Sequence, residues 1–223
     1  MDFLTLFSVS ETPSVIFEDY YFLVVYKPAG FTVERHPSYA SLEDFANKHV
    51  RETFPENKKY FIGIVHRLDV NVSGLVVLAK TRAALKHLNE QFANKSTRKI
   101  YLAQCENNPL PLKGNIDGWI SEDKLNRKAT YFKDQQVNTK ACSLSYEVVD
   151  EANRIVKIEL HTGRFHQIRA SLAGINCPIV NDDKYGAKKI SEENSIKLVA
   201  CELHVKHPKT DERLKFELKH VMN

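Results

Sequence analysis

An α+β domain, built on a mixed, largely antiparallel central sheet with flanking helices, is the fold class this sequence predicts. Strand-like runs outnumber helical ones, and many follow one another with no crossover helix between them, so neighbours pair antiparallel. The 223 residues are 43% hydrophobic and 27% charged, an ordinary globular balance. Neither a Gly-x-Gly-x-x-Gly run nor a phosphate-binding loop occurs, which counts against a doubly wound nucleotide-binding sheet and against kinase chemistry. With no repeat, low-complexity tract or flexible linker, residues 14–223 read as one domain and residues 1–13 as an N-terminal extension.

The elements follow in order. Tyr21 to Tyr26 is an aromatic and β-branched run halted by Lys27-Pro28-Ala29-Gly30: a buried strand ending in a turn. Ser41 with an acidic residue three places on marks a helix start, and Leu42, Phe45, Ala46, His49 and Val50 follow near helical spacing. Gly74 to Ala79 is a near-continuous apolar strand, after which Thr81 caps a helix with the stripe Leu85, Leu88 and Phe92. Lys99 to Cys105 reads as a strand. So does Ala129 to Phe132, inside the polar stretch 121–138. Ser143 to Val149 alternates, with Leu144, Tyr146 and Val148 on one face, and Ile155 to Leu160 alternates too. Phe165 to Ala173 is a helix that Gly174 ends from the C′ position.

Several functions are disfavoured. The net charge of +4 permits a nucleic-acid partner without demanding one. The N-terminus lacks the basic lead and the apolar length of a signal peptide. No apolar run approaches the ~18 residues of a membrane span. The 4 cysteines are scattered, with no Cys-x-x-Cys pair, and His204 and His207 have no second ligand pair nearby. Reduced thiols, the cytoplasm, no metal and no organic cofactor are the expectations.

Two segments carry chemistry. His66-Arg67-Leu68-Asp69-Val70-Asn71-Val72-Ser73-Gly74 puts a lone carboxylate beside basic residues at the mouth of an apolar strand. Charges there are costly unless paired or used; an Asp at a turn or cap is the ordinary alternative. His161-Thr162-Gly163-Arg164-Phe165-His166-Gln167-Ile168-Arg169 runs from a strand into a helix. There Arg164 and Arg169 place two guanidinium forks near a helix N-terminus, suited to a carboxylate or a phosphate.

These segments resemble the motifs of RluA-family RNA pseudouridine synthases. The first matches His-Arg-Leu-Asp-x-x-Thr-Ser-Gly, and the second matches Thr-Gly-Arg-x-His-Gln-Ile-Arg. Val24 to Gly30, Lys99 to Ala103, and Gly174 through Pro178-Ile179, Asp182 and Tyr185-Gly186 match further family patterns in the same order. The departures are Val72 for Thr, Asn181 for Gly, Tyr26 for Asn, and Ala170-Ser171 for Val-His. Asn tolerates positive φ, so the Asn181 turn can survive. The S4 RNA-binding domain common in the family is not expected before residue 14.

The resemblance implies a cofactor-free enzyme that isomerises uridines of ribosomal or transfer RNA, acting as a monomer. It makes Asp69 the catalytic carboxylate, Tyr101 the active-site tyrosine, and Arg164 the partner that holds Asp69 charged. Arg67 would fill the gap left by a flipped base. Lys27, Lys99 and Arg169 would contact phosphate, with His66, His166 and Gln167 completing the RNA-binding set. One competing reading is an RNA-binding or RNA-folding protein impaired in catalysis, kept open by Val72. Another is a glycoside hydrolase, which needs a second carboxylate; Asp182 is the only other candidate in these motifs.

Overall fold

The computed structural model describes residues 11–56, 60–191 and 194–218. Most of the 1–13 extension therefore lies outside the described residues. Where the sequence reads as one domain over 14–223, the chain divides into two compact units. One is the continuous segment Arg98–Val199; the other joins residues up to Thr97 with residues from Ala200 onward.

The discontinuous unit holds β1 (Ser14–Glu18), β2 (Phe22–Lys27), α1 (Leu42–Thr53), β3 (Gly63–Ile64), β4 (Ser73–Ala79) and α2 (Arg82–Ala93). β10 (Leu198–Lys206), which starts just before the division, and β11 (Arg213–Glu217) complete it. The order is β1-β2-β4-β10, with β11 on β10 and β3 on β4. β1–β2, β2–β4, β3–β4 and β10–β11 pair antiparallel. β2 is buried at every position, as its apolar run predicts. Both helices start at the caps the sequence predicts. Ser41 Oγ accepts from Asp44 N at 3.1 Å, and Thr81 Oγ1 accepts from Ala84 N at 3.1 Å. Leu42 and Ala46 of α1 then pack on Leu23, Val25, Val76 and Leu78.

Gly74 is the position where β4 tolerates no side chain. Its φ is +133°, and a Cβ there would stand 2.5 Å from the backbone N and O of Ala200. Backbone atoms cannot move aside as a side-chain tip can, so only glycine lets β10 lie this close.

The continuous unit holds β5 (Arg98–Gln104), β6 (Lys113–Asp123), β7 (Lys128–Phe132), β8 (Lys140–Asp150), β9 (Ile155–Leu160) and α3 (Gln167–Gly174). Its strands pair antiparallel in the order β5-β9-β8-β6-β7. A core of Ile120, Ala129, Cys142, Ala170 and Tyr185 joins the β6–β7 hairpin to α3.

Two details differ from expectation. α3 starts at Gln167, two residues late, because His166 takes the left-handed conformation at φ 49°. Gly174 is the last helical residue and not the C′ residue. Its missing Cβ makes room for Tyr131, whose Cδ1 would sit 2.5 Å away, while the positive φ falls on Asn176 at 60°.

Candidate active site

Asp69 lies on the half-buried segment between β3 and β4. Its main chain is fixed by short-range bonds. The Asp69 carbonyl accepts from Val72 N at 3.1 Å, closing a turn directly before β4. Leu68 packs against the apolar core of the unit. The Val70 carbonyl accepts from Gly30 N at 2.7 Å and from Lys27 Nζ at 3.3 Å. The carboxylate therefore sits on a segment held on both sides.

Lys27 is not the phosphate contact the sequence suggested. It is 0% exposed, and its ammonium donates to the carbonyls of Pro28 (2.9 Å), Phe31 (2.8 Å) and Val70. Burial pushes it down to about 7 from 10.5, with the charge of Asp69 pulling it back. The sign of the linkage follows. Between about pH 7 and 10.5 the unfolded chain binds a proton that the folded chain does not, so this group makes stability rise with pH, by at most about 1.4 kcal/mol per unit. Below pH 7 both states hold the proton and the contribution is flat. Urea unfolding of wild type and Lys27→Met at pH 7.0 and 8.5 should therefore show a rise in wild type that the variant lacks; equal slopes would refute the assignment.

The neighbouring Tyr26, where the family pattern has Asn, is 1% exposed. Burial pushes this phenol up to about 12, so it stays neutral. Val72 is buried, as an apolar residue can be here without a partner for a hydroxyl.

Arg67 is exposed, and Glu34 Oε2 accepts from its Nη1 at 2.7 Å. His66 is turned inward. Its Nε2 accepts from Val77 N of β4 at 3.1 Å, and its ring stacks on Phe92 with centroids 4.6 Å apart.

The other predicted residues belong to the continuous unit. Tyr101 is a buried residue of β5, opposite Ile158 of β9. Arg164 stands in the turn after β9. Its Nε donates to Ala141 O at 3.0 Å, and its backbone N–H donates to Gln167 Oε1 at 3.0 Å. Lys99 Nζ approaches this turn, 3.9 Å from where a Cβ on Gly163 would be.

Gln167 and Arg169 are corrected from RNA contacts to internal supports. Gln167 is 3% exposed; its Oε1 also accepts from Thr162 Oγ1 at 2.8 Å, and its Nε2 donates to Ser143 O at 3.1 Å. Arg169 is buried and donates to both carboxylate oxygens of Asp182, from Nε at 2.7 Å and Nη2 at 2.8 Å. Its guanidinium lies over the Tyr185 ring, 4.9 Å from the centroid. His166 Nδ1 is 2.9 Å from Tyr185 Oη, which also accepts from Ala129 N at 2.8 Å.

This pairing of Asp182 removes it as the second carboxylate of a hydrolase, because a doubly accepting buried ion partner is spoken for. Among the described residues no cluster of three or more His, Cys, Asp or Glu could hold a metal ion, and no helix is long and apolar enough to cross a membrane.

Known proteins share both the sequence and the architecture. An uncharacterized RNA pseudouridine synthase of Aquifex aeolicus is 30% identical over 219 residues, which cover 92% of this chain and 68% of the relative. The ribosomal large subunit pseudouridine synthase D of Borreliella burgdorferi is 32% identical over 200 residues, covering 86% of this chain and 59% of that protein. An uncharacterized RNA pseudouridine synthase of Bacillus subtilis is 33% identical over 208 residues, covering 91% and 67%. The chain thus spans from less than two thirds to about two thirds of these relatives. The fold matches human RNA pseudouridylate synthase domain containing 4, with a TM-score of 0.76 at 23% identity over 92% of this chain and 88% of that one. The family model described as RNA pseudouridylate synthase matches residues 21–174, a span holding the Asp69 segment, β5 and the Arg164 turn, so the chain belongs to the RNA pseudouridylate synthase family.

Proposed function

We propose that this chain isomerises uridines of ribosomal or transfer RNA to pseudouridine, with Asp69 as the catalytic carboxylate and Tyr101 and Arg164 as its partners. The observation that carries the reading is the anchored Asp69 segment, fixed by Leu68, by the Asp69–Val72 turn and by the doubly held Val70 carbonyl. The reaction breaks the N1–C1′ bond, turns the uracil, forms a C5–C1′ bond, and moves a proton from C5 to solvent while N1 gains one. It needs no net oxidation. Asp69 serves by attacking C1′ or by taking a proton at C2′. Either role requires a carboxylate that stays put while the base is detached. Tyr101 offers a flat surface for the uracil and a hydroxyl. Arg67 fills the gap left by the extruded base, while Lys99 and His166 contact RNA. The ribosomal target is favoured by the name of the Borreliella relative.

The test is release of tritium from [5-³H]uridine-labelled ribosomal and transfer RNA transcripts, followed by mapping of the modified positions. Release with pseudouridine at discrete sites is expected. RNA binding without release would instead support an RNA-folding role. A second measurement separates the role of Arg164. Arg164→Met should slow single-turnover isomerisation at saturating RNA by about 10²-fold, a typical loss for one charged partner of the reacting group. RNA affinity should change far less. A pure phosphate contact predicts the reverse, with a shallower salt slope.

A further inference from the structure

β3 pairs with β4 only through Gly63↔Ala79 and Ile64↔Leu78. The next backbone donor along β4, Val77 N–H, does not meet a strand. It donates to His66 Nε2 at 3.1 Å. The chain that left the sheet thus returns to it through a side chain, in the residue immediately before Arg67. An imidazole nitrogen that accepts an amide hydrogen carries its lone pair there, so the ring is neutral and its proton is on Nδ1. The ring face is fixed as well. It stacks on Phe92 of α2, with planes 18° apart.

The Asp69 segment is then pinned at both ends. His66 ties its start to β4 and α2, and Lys27 with Gly30 ties the Val70 carbonyl just beyond Asp69. Only Arg67 and Leu68 separate the first tie from the carboxylate. A shift at His66 is transmitted to Asp69 through this short link, in which Leu68 packs on the core.

We propose that His66 is a positioning residue for Asp69, acting through the Val77 N–H···Nε2 bond and not through contact with RNA. The inference rests on the reading of Asp69 as the catalytic carboxylate.

Side-chain geometry supplies a clean test. A glutamine carbonyl reaches about as far as Nε2, whereas an asparagine carbonyl reaches only as far as Nδ1. His66→Gln can keep the acceptor for Val77; His66→Asn and His66→Leu cannot. Single-turnover rates at saturating RNA should fall about 10–100-fold in the Asn and Leu variants, the usual cost of losing a support behind a reacting group. His66→Gln should stay within about threefold. RNA affinity and its salt slope should be unchanged in all three.

The Val77 amide, followed by hydrogen exchange in free protein, gives a readout independent of turnover. Its exchange should quicken at least about tenfold in the Asn and Leu variants and stay slow in Gln. Should His66→Leu not fold, the Gln and Asn pair carries the comparison. Rescue by Asn and not Gln, weakened RNA affinity with normal saturated rates, or unchanged Val77 exchange in His66→Asn would each overturn the proposal. If wild type forms no pseudouridine on any RNA, the functional reading fails instead, and the exchange data report on the clamp alone.

Discussion

Asp69→Asn is expected to remove pseudouridine formation altogether, with a loss of at least about 10³-fold in the single-turnover rate. The substitution keeps the size and shape of the side chain. What disappears is the anionic oxygen able to attack C1′ or take a proton. The main chain of this segment is held by the Asp69 and Val70 carbonyls and by the apolar contact of Leu68, all of which the substitution keeps; the loss to the fold is the carboxylate charge that acts on buried Lys27. The thermal midpoint of the variant should therefore lie within about 2 °C of wild type, corresponding to less than 1 kcal/mol in a chain of this size. Tritium release and RNA binding on the same preparation give the two halves of the measurement. A residual rate within tenfold of wild type would remove Asp69 from the chemistry.

The largest loss of stability is expected from Arg169→Met. Asp182 is 1% exposed and both its oxygens accept from Arg169. Methionine preserves bulk and leaves the carboxylate buried without its cation, a change that costs about 3–5 kcal/mol. The Tyr185 ring loses the guanidinium above it and keeps the Lys128 ammonium, 5.5 Å from its centroid. Pairing Arg169→Met with Asp182→Leu should recover much of the loss, since two apolar side chains leave no orphaned charge. Urea unfolding of both single variants and the double variant closes the cycle. If the single variants lose less than 1 kcal/mol each, the pair is not the internal brace described above.

Much of this fold is written locally. Ser41 and Thr81 announce α1 and α2 because a cap needs only its own neighbours. β4 is legible because a strand buried on both faces reads as an unbroken apolar run. β6 escapes because Gly114, Asp117 and Gly118 interrupt its pattern, leaving only Ile116 and Ile120 clearly buried. The division into two units escapes too, since the chain crosses after Thr97, directly before β5, and after Val199, inside β10, without a Pro- or Gly-rich linker. In the candidate site, motif resemblance picks out Asp69, Tyr101 and Arg164, but not the direction in which neighbouring side chains point. Arg169 stands four residues after Phe165 and three before Leu172, on the core-facing side of α3, and Asp182 follows as a ready partner. Helical spacing held that signal, yet two arginines near a helix start read more simply as an anion site. Lys27 is harder still. Nothing in Tyr26-Lys27-Pro28 says that three carbonyls will gather around an ammonium.

The contact between Gly74 and Ala200 also sets an order of events during synthesis. The strand that begins directly after the Asp69 segment lies against a strand made 126 residues later. At about 5–20 residues per second, ribosomes take roughly 6–25 s to cover that distance. Throughout that interval β4 has β2 and β3 beside it, but its β10 side waits. Residues 98–199, by contrast, emerge as an unbroken stretch within which β5, β9, β8, β6 and β7 can pair with one another. The segment made second can thus finish first. The unit that carries the carboxylate is completed only once β10 has been made.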